Sequence, residues 1–383
     1  MPYTFLTPAR TVLGEGALET AGKDLLALGR KPLIVTGNVV KKGDAFRQLT
    51  ELFTRGDVPF TVFSDIPGEP DDRMVDAGAE AYCAGGCDSI IGIGGGSPLD
   101  SAKAIGIRIA LPGGVCTHAG KEITAELPPM ALIPTTAGTG SEATKFTVIT
   151  DHACGAKLLL KGDTLLPRLA IVDYTFTLST SPSLTAATGM DALTHAVEAY
   201  TSRRATPFTD PYAIDAVKRI LEFLPAAYRD GNDCKAREAM AIAAYEAGVC
   251  ISNASVTLVH GMSRPIGAKF HVPHGLSNAM LLAPCLTFAA GGAPERFAKL
   301  ARAVGLADNT SSYTHAANAL LEKLAEITRT LDIPTLAAYG VSQAAFREAI
   351  PQMAVEALQS GSPGNTLREV TEQDVVALYQ SLY

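Results

Sequence analysis

A glycine-rich turn, Gly92-Ile93-Gly94-Gly95-Gly96-Ser97-Pro98-Leu99-Asp100, is the feature that most constrains how this chain folds. It leaves an apolar run, Asp88 to Ile93, that reads as a buried strand, and opens a helical one, Pro98 to Ile109. Glycines let a backbone approach a ligand closely, and a helix start offers free N–H donors and positive potential to a phosphate. Ser97 suits the N-cap, Pro98 the first helical position, and Asp100 the third, facing free N–H groups. Ser97 also stands where the last glycine of a G-x-G-x-x-G fingerprint falls, so a merely structural turn is an equal reading of this segment alone. A second loop, Pro134-Thr135-Thr136-Ala137-Gly138-Thr139-Gly140-Ser141-Glu142, follows the strand candidate Met130 to Ile133. Its hydroxyls and free amides suit a ribose or pyrophosphate. Ligands of open α/β sheets bind beyond the carboxyl ends of the strands, so a dinucleotide spanning both loops is expected.

Around these loops, strands alternate with helices. Lys31–Thr36, Phe60–Phe63 and Leu169–Val172 read as strands, and Arg47–Phe53 and Asp71–Cys83 as helices. That alternation argues for an α/β domain with a parallel sheet covered on both faces. At 383 residues, two domains are the default. The second half reads as helical throughout: Ala186–Tyr200, Asp215–Leu224, Ala236–Cys250, Pro294–Val304, Tyr313–Thr328 and Gln343–Glu356 are rich in Ala, Leu and Glu. A net charge of −7 without a basic run argues against a nucleic-acid surface. The seven cysteines form no C-x-x-C pair, which argues against a disulfide framework and a thiolate zinc site. Met1-Pro2-Tyr3-Thr4-Phe5-Leu6 has no signal-peptide pattern, and no long uninterrupted apolar run suggests a membrane span, so a cytoplasmic protein is expected.

The chemistry-bearing residues gather between Thr188 and His274. Asp191 and His195 are four apart, hence one above the other on a helix face. His260 and His274 follow, with Pro265, Gly267 and Pro273 expected to break any single regular element between them. An Asp–His pair alone is more often a surface pair. Here four of only seven histidines (His195, His260, His271, His274) fall within eighty positions beside small residues, which favours a metal site. One carboxylate and three imidazoles suit iron(II), zinc or a similar divalent metal better than magnesium or calcium.

Taken together, Gly94 to Asp100, Pro134 to Glu142, Gly189 to Glu198 and His260 to Gly275 resemble the iron-containing (group III) alcohol dehydrogenases, and the likeness runs the length of the chain. The resemblance implies an α/β dinucleotide-binding domain over residues 1–180 and an all-helical domain over 181–383, with the active site between them. It places the metal, Fe2+ or another divalent ion, on Asp191, His195, His260 and His274. It places NAD or NADP on Gly37, Gly95, Gly96, Ser97, Asp100, Thr135, Thr136, Thr139, Ser141 and Lys157. It further implies hydride transfer between NAD(P) and a small alcohol or aldehyde, and a homodimer or larger homo-oligomer. Family members that prefer NAD often carry Asp after the first strand. Gly37 stands there, which permits the 2′-phosphate of NADP. Many members also carry a second His, thought to relay the proton, where this chain has Arg264. Arginine cannot cycle a proton, so His271 or solvent takes that role. Arg264 instead opens the alternative of a carboxylated substrate, as for a maleylacetate reductase or hydroxy-acid dehydrogenase.

Overall fold

The computed structural model describes residues 2–383; Met1, the start of the N-terminal stretch read above, lies outside them. The chain divides into two compact units: Leu6–Thr180, and Ser181–Tyr383 with the N-terminal tip up to Phe5. That tip belongs by sequence to the first domain. It lies instead on the helical unit, because Phe5 stacks on Tyr212 and both Tyr3 and Phe5 meet Phe208.

In the first unit, β1 (Arg10–Leu13), β2 (Pro32–Thr36), β3 (Thr61–Phe63), β4 (Ser89–Gly94), β5 (Met130–Pro134) and β8 (Leu169–Val172) form one parallel sheet in the order β1-β8-β5-β4-β2-β3. A separate antiparallel ribbon, β6 (Phe146–Thr150) with β7 (Lys157–Lys161), was not foreseen from the apolar runs. Helices α1 (Ala17–Thr20), α2 (Gly22–Leu26), α3 (Asp44–Arg55), α4 (Asp72–Gly85) and α5 (Gly96–Ala110) complete the unit. Successive strand residues enter opposite cores. Leu33, Val35, Ile90 and Leu132 pack with Val75, Leu99 and Ile105 of α4 and α5. Ile34, Ile91, Ile93 and Ile133 pack with Leu18, Leu25, Leu49 and Phe53 of α1 to α3. A strand buried on both faces needs a solid apolar run rather than alternation, which is what these segments show.

β2 has β3 on one side and β4 on the other, so the strand order reverses there, where such sheets open a crevice. Register pairs Thr36 with Ile93 and Gly94 with Pro134. Gly37, Gly95 and Thr135 therefore share one edge of the sheet. Gly94 has φ of 151°, and a Cβ there would lie 2.6 Å from Pro98 Cγ, so the turn into α5 requires glycine.

Two expectations at this turn are corrected. Ser97 is not the N-cap: α5 begins at Gly96, capped by Gly95 with no side-chain bond, because the φ of Gly94 starts the helix early. Nor does Asp100 face the helix-start N–H groups. Its carboxylate accepts from Ser141 Oγ at 2.7 Å and Val148 N at 3.1 Å, tying α5 to the second loop and the ribbon.

Lys103, on the next turn of α5, is fully buried. Its Nζ donates to Ser141 O, Thr144 O, Thr144 Oγ1 and Phe146 O at 2.6–3.0 Å. Burial pulls the amine down to about 8, with Asp100 and Glu142 opposing, so it stays protonated at neutral pH.

The second unit is helical: α6 (Pro182–Tyr200), α7 (Thr209–Arg229), α8 (Cys234–Ala254), α9 (Leu258–Phe270), α10 (His274–Gly292), α11 (Pro294–Ala303), α12 (Tyr313–Thr330), α13 (Leu336–Tyr339), α14 (Gln343–Gln359) and α15 (Glu372–Gln380). α6 packs against α7, α8 and α10, and α10 against α9. The expected breaks at Pro265 and Gly267 do not occur; α9 runs through both. Val259, Met262, Ser263 and Ile266 bury much of its surface, and that packing outweighs the lost backbone bond. Only Pro273 interrupts, as the N-cap of α10. By length and composition alone α10 is apolar enough to cross a membrane, but Pro284 interrupts its apolar run and about half of it is buried in the unit.

Replacing Lys103 with Met removes the ammonium that three carbonyls and a hydroxyl share, and leaves Thr144 O without its donor. Unsatisfied buried acceptors of this kind cost ~3 kcal/mol or more. Denaturant unfolding of K103M should show a loss of that size; a loss below ~1 kcal/mol would show that the four bonds do not hold the loop.

Candidate metal centre

α6 opens with Pro182 after Ser181, whose hydroxyl accepts from Leu184 N, and carries an almost unbroken buried face from Gly189 to Tyr200. Asp191 and His195 project from it one turn apart, both nearly inaccessible. His260 comes from the first turn of α9 and His274 opens α10. The close approach of α10 to α6 depends on Gly275: a Cβ there would lie 2.3 Å from Ala187 O.

The four side chains converge. Their ligand atoms all lie within 4.8 Å of one another. Asp191 Oδ1 is 3.8 Å from His195 Nε2, 3.6 Å from His260 Nε2 and 3.7 Å from His274 Nε2. Those separations are too long for hydrogen bonds. Ligands about 2.1 Å from one cation in a tetrahedral array lie about 3.4 Å apart, so the three distances from Asp191 Oδ1 exceed that spacing by a few tenths of an ångström. The His195 and His260 rings stack at 4.6 Å. Three of the four side chains are buried, whereas His274 is 37% exposed and marks the accessible side.

The donor set fits a cation on its own chemistry. A carboxylate oxygen and two imidazole nitrogens are served by one amide: Asn278 Nδ2 donates to Asp191 Oδ1 at 2.7 Å and lies 3.1 and 3.2 Å from His260 Nε2 and His274 Nε2. Asn278 Oδ1 is buried without a partner. Acceptors crowded around a single N–H source constitute a site for positive charge. Burial opposes ionisation of Asp191, but His195, His274 and His260 outweigh it and hold the carboxyl far below the usual range.

Glu198, two turns beyond Asp191, was quoted in the family motif but given no role. It is fully buried, and its Oε2 accepts from His260 Nδ1 at 2.5 Å. Its Oε1 accepts from Thr257 Oγ1 at 2.7 Å and Val259 N at 2.6 Å. The carboxylate fixes the His260 tautomer and turns Nε2 toward Asp191, as carboxylate–histidine–metal arrangements do. Burial works against ionised Glu198, yet His260 and Thr257 keep it below the carboxylate norm. His260 loses basicity to burial and regains more from Glu198 and Asp191, reaching about 8. The signals for Glu198 and Asn278 were spacing: Glu198 is seven residues from Asp191, and Asn278 four from His274, each returning to its ligand's face.

Two other residues named from sequence stand apart from this set. His271 caps α9 in the left-handed conformation (φ 55°), exposed, with its carbonyl accepting from Tyr339 Oη. Arg264 lies one turn beyond His260 on α9.

On the first unit, Gly95 lies against Thr136, and Gly96 packs on Thr139. Ser97, Thr136 and Thr139 are half-buried, Thr135 is buried, and Thr135 N donates to Gly94 O. These residues and Gly37 form one edge. Asp100 and Ser141 are bonded to each other, and Lys157 is paired with Glu69 at 2.8 Å. A second acidic group, Asp72, Asp151 and His152, is accounted for by the His152–Asp72 ion pair.

Substituting Glu198 by Gln removes the charge that orients His260. Outer-shell changes of this kind cost roughly 10- to 100-fold in metal affinity. Chelator competition with E198Q should read that loss, and G275A should weaken affinity as well by pushing α10 off α6. An unchanged metal Kd in both would remove Glu198 and Gly275 from the site. In wild type, metal at about 100 times Kd should add about 2.7 kcal/mol of stability that chelation reverses.

Two family models divide the chain between them. Residues 8–174 match the iron-containing alcohol dehydrogenase model, and residues 185–383 match the C-terminal model of the Fe-containing alcohol dehydrogenase family. The 1,3-propanediol dehydrogenase of Citrobacter freundii is 35% identical over 100% of this chain and 99% of its own. The lactaldehyde reductase of Escherichia coli (strain K12) is 34% identical over 97% of each. A solved 1,3-propanediol oxidoreductase superposes with a TM-score of 0.96 at 33% identity, covering 100% of both chains. Matched in both halves and over its full length, the chain belongs to the iron-containing alcohol dehydrogenase family.

Proposed function

We propose that Asp191, His195, His260 and His274 hold the iron of this NAD(P)-dependent alcohol dehydrogenase, and that Gly37, Gly95, Gly96, Ser97, Thr135, Thr136 and Thr139 hold its dinucleotide. The observation that carries the first part is the convergence of three imidazole nitrogens on one buried carboxylate oxygen at 3.6–3.8 Å. When bound, a divalent cation there supplies Lewis acidity to the substrate oxygen, and the nicotinamide exchanges hydride with the substrate carbon. Asp191 supplies a permanently ionised ligand, Glu198 holds His260 in the productive tautomer, and His274 borders the side from which substrate arrives. Arg264 keeps its charge, so proton exchange falls to exposed His271 or to solvent. Asp100, Ser141 and Lys157 act on the nucleotide site from behind, since each already has a protein partner.

Gly37 offers no carboxylate to repel a 2′-phosphate, and Lys41 follows on the exposed turn, so NADP is accepted at least as well as NAD. The reading also includes a cytoplasmic location and a homodimer or larger homo-oligomer. The seven cysteines, all free, suit a reducing compartment. Exposed Tyr3, Phe208 and Tyr212 form an apolar surface of the kind that subunits cover.

Protein loaded anaerobically with Fe2+ should change nicotinamide absorbance with short alcohols or aldehydes. H274A and D191A should lose metal and turnover together; an active, metal-free variant refutes the ligand set. An NADH:NADPH ratio of kcat/KM well above one refutes the reading of Gly37.

A further inference from the structure

We propose that Arg264 docks an oxyanion at the far end of the substrate, so that this enzyme acts on short aldehydes or alcohols carrying a carboxylate, sulfonate or phosphonate. The inference rests on the dehydrogenase reading above and narrows its substrate class.

Five arginines of the helical unit are buried or half-buried: Arg237 is buried, and Arg219, Arg264, Arg296 and Arg302 are half-buried. Four are engaged. Arg219 bonds Asp215, Arg237 bonds Gly231 O and Thr185 Oγ1, Arg296 bonds Tyr200 O and Asp210, and Arg302 bonds Asp308 O and Ser311 O. Arg264 alone makes no hydrogen bond or ion pair among the described residues. A guanidinium carries five N–H donors in a fork and no acceptor, so leaving it unserved in a shielded place is unfavourable. Burial accordingly draws its pKa downward, and the only opposing charge is Glu198. Glu198 is committed elsewhere: both of its oxygens are taken by His260, Thr257 and Val259. Among the described residues none is left to answer this cation.

Its position ties the vacancy of partner to the reaction. Arg264 follows His260 by four residues on α9, hence lies on the same face one turn along. Side chains so spaced have Cβ atoms about 6 Å apart. A substrate with its oxygen beside the ligand set reaches Arg264 only through a short spacer of a few carbons. Charge points the same way. A divalent cation balances Asp191 and Glu198, and Arg264 remains as one positive charge in excess. A neutral aldehyde leaves that charge unanswered; an aldehyde ending in one oxyanion cancels it. The planar fork matches the paired oxygens of carboxylate, sulfonate and phosphonate alike.

The test separates binding from turnover. The metal-loaded protein is titrated calorimetrically with propionate, propane-1-sulfonate and ethylphosphonate, against uncharged propanamide. At least one oxyanion should bind roughly 10- to 100-fold tighter than the amide, and the order of the three names the headgroup. R264M should remove that preference, and R264K should keep only part of it, because a lysine retains the charge without the fork. Equal binding of propanamide and every oxyanion by the wild type overturns the proposal without any variant. So does an oxyanion preference that persists in R264M, which would place the anion on the metal. In parallel, kcat/KM for succinic semialdehyde over pentanal should exceed one by a similar factor in wild type and fall in R264M. Turnover of both aldehydes with no preference sinks the inference and leaves the dehydrogenase reading intact. Oxyanion binding through Arg264 with no turnover of any aldehyde does the reverse for the activity and leaves the anion site standing.

Discussion

A carboxylate and three imidazoles that converge within a helical unit make a place for positive charge. Asp191 Oδ1 faces three imidazole nitrogens at 3.6–3.8 Å, and the Asn278 amide lies against it and two of them. Their spacing is set by the packing of the helices that carry them. The means are visible. Gly275 lets α10 reach α6 at backbone contact, Glu198 pins His260, and Ser263 bonds Ser277 between α9 and α10. Each lies within one to three residues of a ligand in sequence, so an error in packing is an error in the site.

The α/β unit solves a different problem with related means. A phosphate needs open backbone donors, and open donors need a rigid backbone. Gly94 turns the chain into α5 without a side-chain cap, which leaves the first N–H groups of that helix open to the proposed dinucleotide. Rigidity then comes from behind the loops, where Asp100 and Lys103 hold the segment from Ser141 to Val148. Polar groups that look like ligand contacts in a linear motif are in this way divided. Some face the crevice, and others anchor the ones that do.

That division marks what could be read from the residues alone. The parallel sheet was legible because β2, β4, β5 and β8 are buried on both faces and so appear as unbroken apolar runs. The ribbon of β6 and β7 was not, since Thr147, Thr150, Lys157 and Lys161 dilute its pattern with polar residues. Proline misled at Pro265, where burial on several sides keeps α9 helical against local preference, and told the truth at Pro273, where the chain is half free. Ser97 and Asp100 fitted helix-start roles by spacing, but spacing cannot report that Gly94 shifts the start or that Ser141 waits for Asp100. The converging histidines stood out because imidazoles are scarce in this chain. Glu198 and Asn278 did not, because one Glu or Asn on a helix is ordinary until its partner across the bundle is known.

Lys103 and Arg264 make the same point from opposite sides. Both are cations withdrawn from water, and both lie one turn from a residue of a functional motif. Around Lys103 the chain closes completely: three carbonyls and a hydroxyl meet the ammonium, and Asp100 and Glu142 lie near enough to support its charge. A buried cation so fully served is structural, and nothing from outside has room to add to it. Arg264 makes no hydrogen bond or ion pair among the described residues, although Glu198 is close enough to be felt. The nearest carboxylate is spent on orienting His260, which the metal site requires, so the arginine cannot have it. Two demands on one carboxylate leave a fork of donors open one turn from His260, where an oxyanion on the proposed substrate would meet it.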